Sequence, residues 1–178
     1  MSEQQQTLTI QQALTLAVQH HNAGRLSEAE NIYQQILQND PNQPVASHLL
    51  GVIAHQSGNN HLAAELITKA VAIKPDFPDA YNNLGLAFHA LGKPNEAMES
   101  YYKALELKPS LSAAHSNLGN TLRALGRLDE AVTHSKKAVQ IQPDLAEAHN
   151  TLVVVLRDRQ RVEEAIASFQ SALHIKPN

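Results

Sequence analysis

Residues 80–109 read AYNNLGLAFHALGKPNEAMESYYKALELKP, and the spacing of the small and apolar residues in this stretch recurs through the chain. Five of the eight prolines follow one another at intervals of 34 residues, namely Pro41, Pro75, Pro109, Pro143 and Pro177. A fixed period of this length is the signature of a repeat architecture. With proline at position 32, five repeats follow a lead-in of residues 1–9, and they span residues 10–43, 44–77, 78–111, 112–145 and 146–178.

Glycine, leucine and alanine occupy fixed columns of this repeat. All seven glycines fall at position 8 (Gly51, Gly85, Gly119) or at position 15 (Gly24, Gly58, Gly92, Gly126). Position 7 is leucine in all five repeats, and position 20 is alanine in all five. Because no insertion interrupts these columns, every repeat is expected to form the same structure.

Each repeat contains two stretches with the apolar spacing of a helix. Positions 4, 7, 8 and 11 form one stripe, on helix A, and positions 20, 24 and 27 form another, on helix B. Glycine at position 8 opposite alanine at position 20 lets the two backbones approach closely. Glycine at position 15 is suited to end helix A, and proline at position 32 ends helix B. The sequence therefore predicts five helix-turn-helix repeats.

The order of Leu, Gly, a large residue, Ala, an aromatic, Ala and Pro in residues 80–109 resembles the tetratricopeptide repeat family. The resemblance covers all but the first nine residues. It implies an all-α fold, a right-handed superhelical solenoid of five helix-turn-helix repeats. It also implies a protein interaction scaffold whose inner wall is lined by positions 2, 5, 6, 9, 12 and 13 of helix A.

Composition excludes several classes of function. The formal charge of -3 is the opposite of the basic surface that nucleic acid selects. The chain has no cysteine, so disulfides and thiolate chemistry are excluded, and no metal or other cofactor is expected. It shows neither a signal sequence nor an apolar run long enough for a membrane span. Cytoplasmic location and a protein or peptide partner are therefore the expectations.

The fifth repeat departs from the pattern. It has Val153 at position 8 and Gln160 at position 15, and its last helix presents a row of apolar residues with no polar helix after it: Ile166, Phe169 and Leu173. An end of this kind, with no capping helix, is expected to be covered by another part of the protein or by a partner. We expect the chain to be the N-terminal array of a larger protein. The alternative is a free-standing adaptor that self-associates into a homo-oligomer through this end.

One column of helix A is basic or titratable. Position 12 holds His21, His55, His89, Arg123 and Arg157, and the repeat fold itself does not require such residues there. The column is either a set of solvated side chains that line the groove or a ladder for an acidic or acceptor-rich partner. Metal binding is the weakest interpretation, because neighbouring helices lie about 8–10 Å apart and a zinc ligand must lie about 2 Å from the ion.

A second column is rich in amides. It contains Asn82, Asn83, Asn117, Asn120 and Asn150 at positions 5, 6 and 9, with His48 at position 5 of the second repeat. Asparagine is a poor helix former, so its presence on helix faces calls for a reason. A carboxamide can pair with the backbone of an extended peptide, or it can join neighbouring helices. Both interpretations stay open.

The stretches at residues 81–85 and 115–119 are similar to repeats of the arrays attached to O-GlcNAc transferases. In those arrays an asparagine at position 6 holds the substrate backbone, and here Asn83 and Asn117 occupy that position. This resemblance implies a substrate-presenting domain of a glycosyltransferase as a further alternative. The basic residues at positions 2 and 5 that clamp a chaperone carboxylate are absent.

No group of residues supports catalysis. The glutamates and lysines of helix B lie near the helix ends where they match the macrodipole. His115 and His149 stand at position 4, where a large aromatic residue is usual, and are expected to fill the core. We therefore expect the chain itself to be no enzyme, and its predicted site is the groove lined by the two columns.

Overall fold

The computed structural model describes residues 9–158 and 160–175; the side chains of residues 162, 169 and 171–175 lie outside this description. The described residues form ten α-helices and no strand, which confirms the all-α prediction. The helices are α1 (Ile10–Asn22), α2 (Leu26–Asn39), α3 (Pro44–Gln56), α4 (Asn60–Ile73), α5 (Pro78–Ala90), α6 (Pro94–Leu107), α7 (Ser112–Ala124), α8 (Leu128–Ile141), α9 (Ala146–Asp158) and α10 (Val162–Ile175).

Odd-numbered helices are the A helices and even-numbered helices are the B helices of the five repeats. The A helices have 13 residues and the B helices have 14. The chain divides into two compact units, Met1–Pro75 and Asp76–Asn178. The N-terminal unit contains α1 to α4, and the C-terminal unit contains α5 to α10.

The N-terminal unit packs α1 and α2 against α3 around a small apolar core. This core contains Leu14, Ala17, Ala29, Tyr33, Ile36, Ala46, Leu50 and Ile53. Leu16 differs from the predicted stripe, since it stands at position 7 and is 36% exposed whereas Leu50 at the same position is buried. The reason is that no earlier helix covers α1 among the described residues.

The C-terminal unit has a larger core built from α6 to α10. Its largest fully buried side chains include Tyr101, Leu118, Leu122 and Leu156. Within each repeat of this unit, helix A lies along its own helix B, and it also contacts helix B of the preceding repeat at α6–α7 and α8–α9. Consecutive A helices therefore lie side by side, as α5, α7 and α9 do.

Glycine at position 8 lies where the two helices of a repeat meet most closely. A Cβ atom on Gly51 would lie 2.6 Å from Cγ1 of Ile67 and 3.2 Å from the carbonyl oxygen of Ala63. Gly85 lies in the same way against the ring of Tyr101. The side chain that covers the glycine thus comes from position 24, and alanine at position 20 contributes its backbone. This refines the predicted pairing of positions 8 and 20.

Glycine at position 15 follows each of the first four A helices. All four such glycines have positive φ, from 70° at Gly92 to 81° at Gly58. In the fifth repeat Gln160 occupies this place with a φ of 59°. A left-handed conformation costs a residue with a side chain about 1–2 kcal/mol. The fifth repeat therefore keeps the turn of the others at an energetic cost.

Candidate functional site

A cavity of about 350 Å³ lies on α1 and the start of α3 in the N-terminal unit. Three apolar side chains, Leu14, Val18 and Val45, contribute to its wall. Polar side chains complete the lining, namely Gln11, Thr15, Gln19 and Gln43. Four of the five α1 residues stand at positions 2, 5, 6 and 9, in the columns that the family resemblance assigns to the inner wall. The cavity can receive an apolar side chain while its amides pair with a peptide backbone.

The N-terminal unit contains three of the predicted histidines, His21, His48 and His55. Nε2 of His21 lies 3.2 Å from Oε1 of Gln56, which joins α1 to α3. Nδ1 of His55 lies 2.6 Å from Oδ1 of Asn60. His48 is only 5% exposed. His48 is therefore withdrawn from the surface, whereas His21 and His55 are half-buried and keep part of their surface exposed.

Amide and hydroxyl groups join the A helices of the C-terminal unit. Asn117 donates to Oδ1 of Asn82 at 3.0 Å, which joins α7 to α5. The hydroxyls of Ser116 and Thr151 lie 3.0 Å apart and join α7 to α9. Asn120 also donates to Thr151, at 3.3 Å. Helix–helix bonding, one of the two interpretations left open by the sequence, is thus present at Asn82 and Asn117.

The Asn82–Asn117 and Ser116–Thr151 bonds share one geometry. Each runs from position 5 of one A helix to position 6 of the next, a separation of 35 residues. The same offset joins position 12 to position 13, where Arg123 donates to Asp158 at 2.9 Å. We call this set of bonds the cross-helix ladder. It orders polar side chains along the face of α5, α7 and α9.

Asp158 forms ion pairs with two arginines on this face. Hydrogen bonds from Arg123 and then Arg157 lower the pKa of its carboxyl group. Nδ1 of His89 lies 3.2 Å from the hydroxyl of Thr121. Arg123 and Arg157 thus both pair with Asp158, and the side chain of Arg157 is the more exposed of the two.

Several predicted groove residues are accessible in the C-terminal unit. His89 and Asn150 are exposed, and Asn83, Asn117 and Asn120 are half-buried, whereas Asn82 is buried. Leu14, Val18 and Val45 were not among the predicted site residues, because that prediction rested on polar and titratable side chains. All three stand in inner-wall columns, Leu14 at position 5, Val18 at position 9 and Val45 at position 2, and this placement was the signal that could have found them.

His115 and His149 are buried at position 4 of their helices. Each places Nε2 next to the carbonyl oxygen of the proline that ends the preceding repeat, at 3.1 Å for Pro109 and 3.0 Å for Pro143. Since a carbonyl only accepts, each imidazole donates its Nε2 proton. These side chains therefore fill the core and also satisfy the backbone between repeats.

The predicted assembly face is described only at Ile166, which is 52% exposed. The side chains of Phe169 and Leu173 lie outside the described residues. Within the part of the chain that the structure describes, no three His, Asp or Glu side chains are grouped so that they could hold a metal ion. Among the described helices, none has the length and apolar character that crossing a bilayer requires.

Solved structures with the same fold include two that are described as TPR proteins. A thermophilic protein of Thermus thermophilus is 25% identical, with a TM-score of 0.81 over 96% of this chain and 93% of that one. MamA is 23% identical, with a TM-score of 0.77 over 90% of this chain and 94% of that one. YrrB, described as having an unusual peptide-binding site, is 22% identical, with a TM-score of 0.72 over 96% and 88%. Among curated proteins, none matches the chain.

Family models agree with the repeats seen in the structure. Models described as tetratricopeptide repeat match residues 78–111 and 110–177, and one described as TPR repeat matches residues 55–92. Together these matches run without a gap from residue 55 to residue 177, which is well over half of the chain. The chain belongs to the tetratricopeptide repeat family.

Proposed function

We propose that this chain is a protein interaction scaffold that binds an extended peptide segment of a partner along the face of its A helices. The observation that carries the proposal is the cavity of about 350 Å³ on α1 and the start of α3. Its volume lies in the range of about 300–1,000 Å³ that ligand sites occupy. The family is an interaction module, and the fold is shared with YrrB, whose peptide-binding site is named in its description.

The lining of this cavity favours an apolar anchor in a polar segment. Val18 and Val45 are half-buried, so an incoming aliphatic side chain would remove both from water. Gln11 and Gln19 are exposed beside them and offer both donors and acceptors. This arrangement suits a peptide held through its backbone and one aliphatic side chain.

The C-terminal unit supports the same function through its cross-helix ladder. Because Asn82 and Arg123 bond within the chain, their side chains are held in place before any partner arrives. Preorganised groups lose less conformational entropy on binding. Asn117, Asn120 and Asn150 retain exposed surface on this face and are the residues we assign to peptide contact there.

A binding screen tests the proposal. An array of immobilised peptides is probed with the wild-type chain, with Val18→Glu, and with Leu62→Glu as the matched control. Leu62 is 39% exposed on α4 of the same unit and lies outside the cavity. We expect Val18→Glu to lose at least about tenfold in affinity for the bound peptides, since it places a charge in an apolar wall, and Leu62→Glu to lose none. Equal binding by both variants would refute the site.

Self-association is the second candidate, and the exposure of Ile166 favours it. A half-exposed isoleucine on the last helix offers apolar surface that a second copy can bury. Sedimentation at several concentrations, with Ile166→Lys as the variant, measures it. A concentration-dependent mass that the variant lacks would support assembly, and a monomer at every concentration would count against it. Attachment to a larger protein or to a glycosyltransferase stays a prediction.

A further inference from the structure

A second groove lies in the C-terminal unit, away from the ladder of A helices. It has a volume of about 450 Å³ and is formed by α7, by α8 and by Arg161, which immediately precedes α10. The α8 contribution includes Thr133, Lys136, Lys137 and Gln140. These residues follow one another at helical spacing and therefore share one face of α8. That face is distinct from the stripe at positions 20, 24 and 27 that packs on helix A.

The groove is cationic. Lys136, Lys137 and Arg161 contribute to its lining, and the described lining contains no carboxylate. One carboxylate outside the lining, that of Glu164, lies 2.7 Å from Lys136 and 2.5 Å from Arg161. Lys137 is exposed, and no carboxylate among the described residues lies within ion-pair distance of it. Two of the three cations thus share one carboxylate and the third has none within ion-pair distance among the described residues, in a chain whose formal charge is -3.

Two histidines form the floor of the groove. The rings of His115 and His134 are stacked with centroids 5.2 Å apart, and their Nδ1 atoms are 3.0 Å apart. Since His115 donates its Nε2 proton to Pro109, its Nδ1 must accept, and His134 must donate to it. In this neutral pair Nε2 of His134 is unprotonated and has no hydrogen-bond partner among the described residues. The floor therefore brings no negative charge that would cancel the cations.

We propose that this groove binds an acidic segment of a partner protein, with Lys136, Lys137 and Arg161 pairing with its carboxylates. Charge complementarity selects the partner, because clustered cations attract a peptide with several carboxylates more strongly than a neutral one. The volume accommodates more than one side chain. The site is separate from the face of the A helices, so the scaffold would hold two segments at once.

The probe is a fluorescently labelled hexaglutamate peptide, with hexaglutamine as the neutral control, in anisotropy titrations at low ionic strength. We expect hexaglutamate to bind and hexaglutamine not to bind. Exposed ion pairs contribute little each, so Lys137→Gln is expected to weaken binding about threefold and a Lys136→Gln, Lys137→Gln, Arg161→Gln variant at least about tenfold. Glu164→Gln should strengthen binding, because it removes the competing carboxylate.

Matched controls separate this site from the proposed inner face. Lys103→Gln removes an exposed lysine of α6 that pairs with Glu106 outside the groove, and Arg123→Gln with Arg157→Gln removes the cations of the A helices. Both controls should bind hexaglutamate as the wild type does, and all variants should be equally helical by circular dichroism. Unchanged binding in the triple variant, or its loss in the Arg123→Gln, Arg157→Gln control, would overturn the proposal. So would tighter binding of inorganic phosphate than of hexaglutamate in a competition titration.

Discussion

Replacing Gly85 by alanine tests the close packing of the two helices in the third repeat. An alanine Cβ at this place would lie 2.7 Å from Cδ1 and Cζ of Tyr101. Carbon atoms attract each other at about 3.5–4.0 Å, so the ring must move by about 1 Å. Tyr101 is only 1% exposed and cannot swing into solvent. The substitution therefore pushes α6 away from α5.

The size of the effect follows from two opposing contributions. Overpacking a well-packed core costs about 1–3 kcal/mol, and the burial of the ring places this case in the upper half of that range. Alanine in place of glycine in a helix interior returns about 1 kcal/mol. We expect a net decrease in the free energy of unfolding of about 1–2 kcal/mol.

Gly119→Ala is the matched control, at the same position of the next repeat. There the nearest atom is Oγ of Ser135, a single hydroxyl that can rotate about χ1 and that forms no hydrogen bond within the described residues. Overpacking is smaller while the gain in helix propensity is the same, so stability should stay within about 0.5 kcal/mol of the wild type.

Urea unfolding followed by far-ultraviolet circular dichroism, which reports the helical content, measures the stability of both variants against the wild type. The reasoning would be refuted if Gly85→Ala were as stable as the wild type, or if Gly119→Ala were the less stable of the two. The first repeat sets an upper limit on the loss of stability, because it has Ala17 and Tyr33 at the same two positions and both are buried. The pair is therefore tolerated where the helix spacing already suits it.

Three further substitutions or conditions test other parts of the structure. Burial lowers the pKa of His115 and of His134 below the ordinary value of about 6.5. As the pH falls through that value, the unfolded chain therefore binds more protons than the folded chain, and the folded state loses stability. Urea titrations should show lower stability at about pH 5.5 than at about pH 7.5, and His134→Gln should reduce the difference. Asn117→Ala removes the bond to Asn82 and should cost about 1 kcal/mol in the same assay, and no loss would show that this bond contributes nothing. Gln160→Gly removes the strain of a left-handed glutamine and should raise the free energy of unfolding by about 0.5–1 kcal/mol, which is measured as a higher thermal midpoint. A lower midpoint would contradict the assigned strain.

The arrangement of helices was predictable because it depends on a few columns that every repeat shares. Glycine at position 15 and proline at position 32 are local signals, and they act through backbone geometry that no distant contact alters. Leu16 shows the limit of this reasoning. Its column is apolar in every repeat, yet its burial depends on a preceding helix, which the first repeat lacks among the described residues.

The candidate site was harder to predict, because the fate of a polar side chain depends on what the neighbouring helix places opposite it. Arg123 belongs to a basic column in the sequence, yet in the structure it pairs with Asp158. A column of the sequence compares residues at the same position of different repeats, whereas the cross-helix ladder joins position 12 of one A helix to position 13 of the next. The contact between Lys136 and Glu164 was hidden for the same reason, since the two residues lie in consecutive repeats.

The offset of the cross-helix ladder makes the order of the repeats specific. Asn82 is matched to Asn117, Ser116 to Thr151, and Arg123 to Asp158. Each A helix therefore presents one set of partners to the helix before it and a different set to the helix after it. Repeats that share the same apolar columns are thus distinguished by the polar residues that pair with the neighbouring helices. A chain with α7 and α9 exchanged would bring Arg157 opposite Ala124 and leave Arg123 without its aspartate.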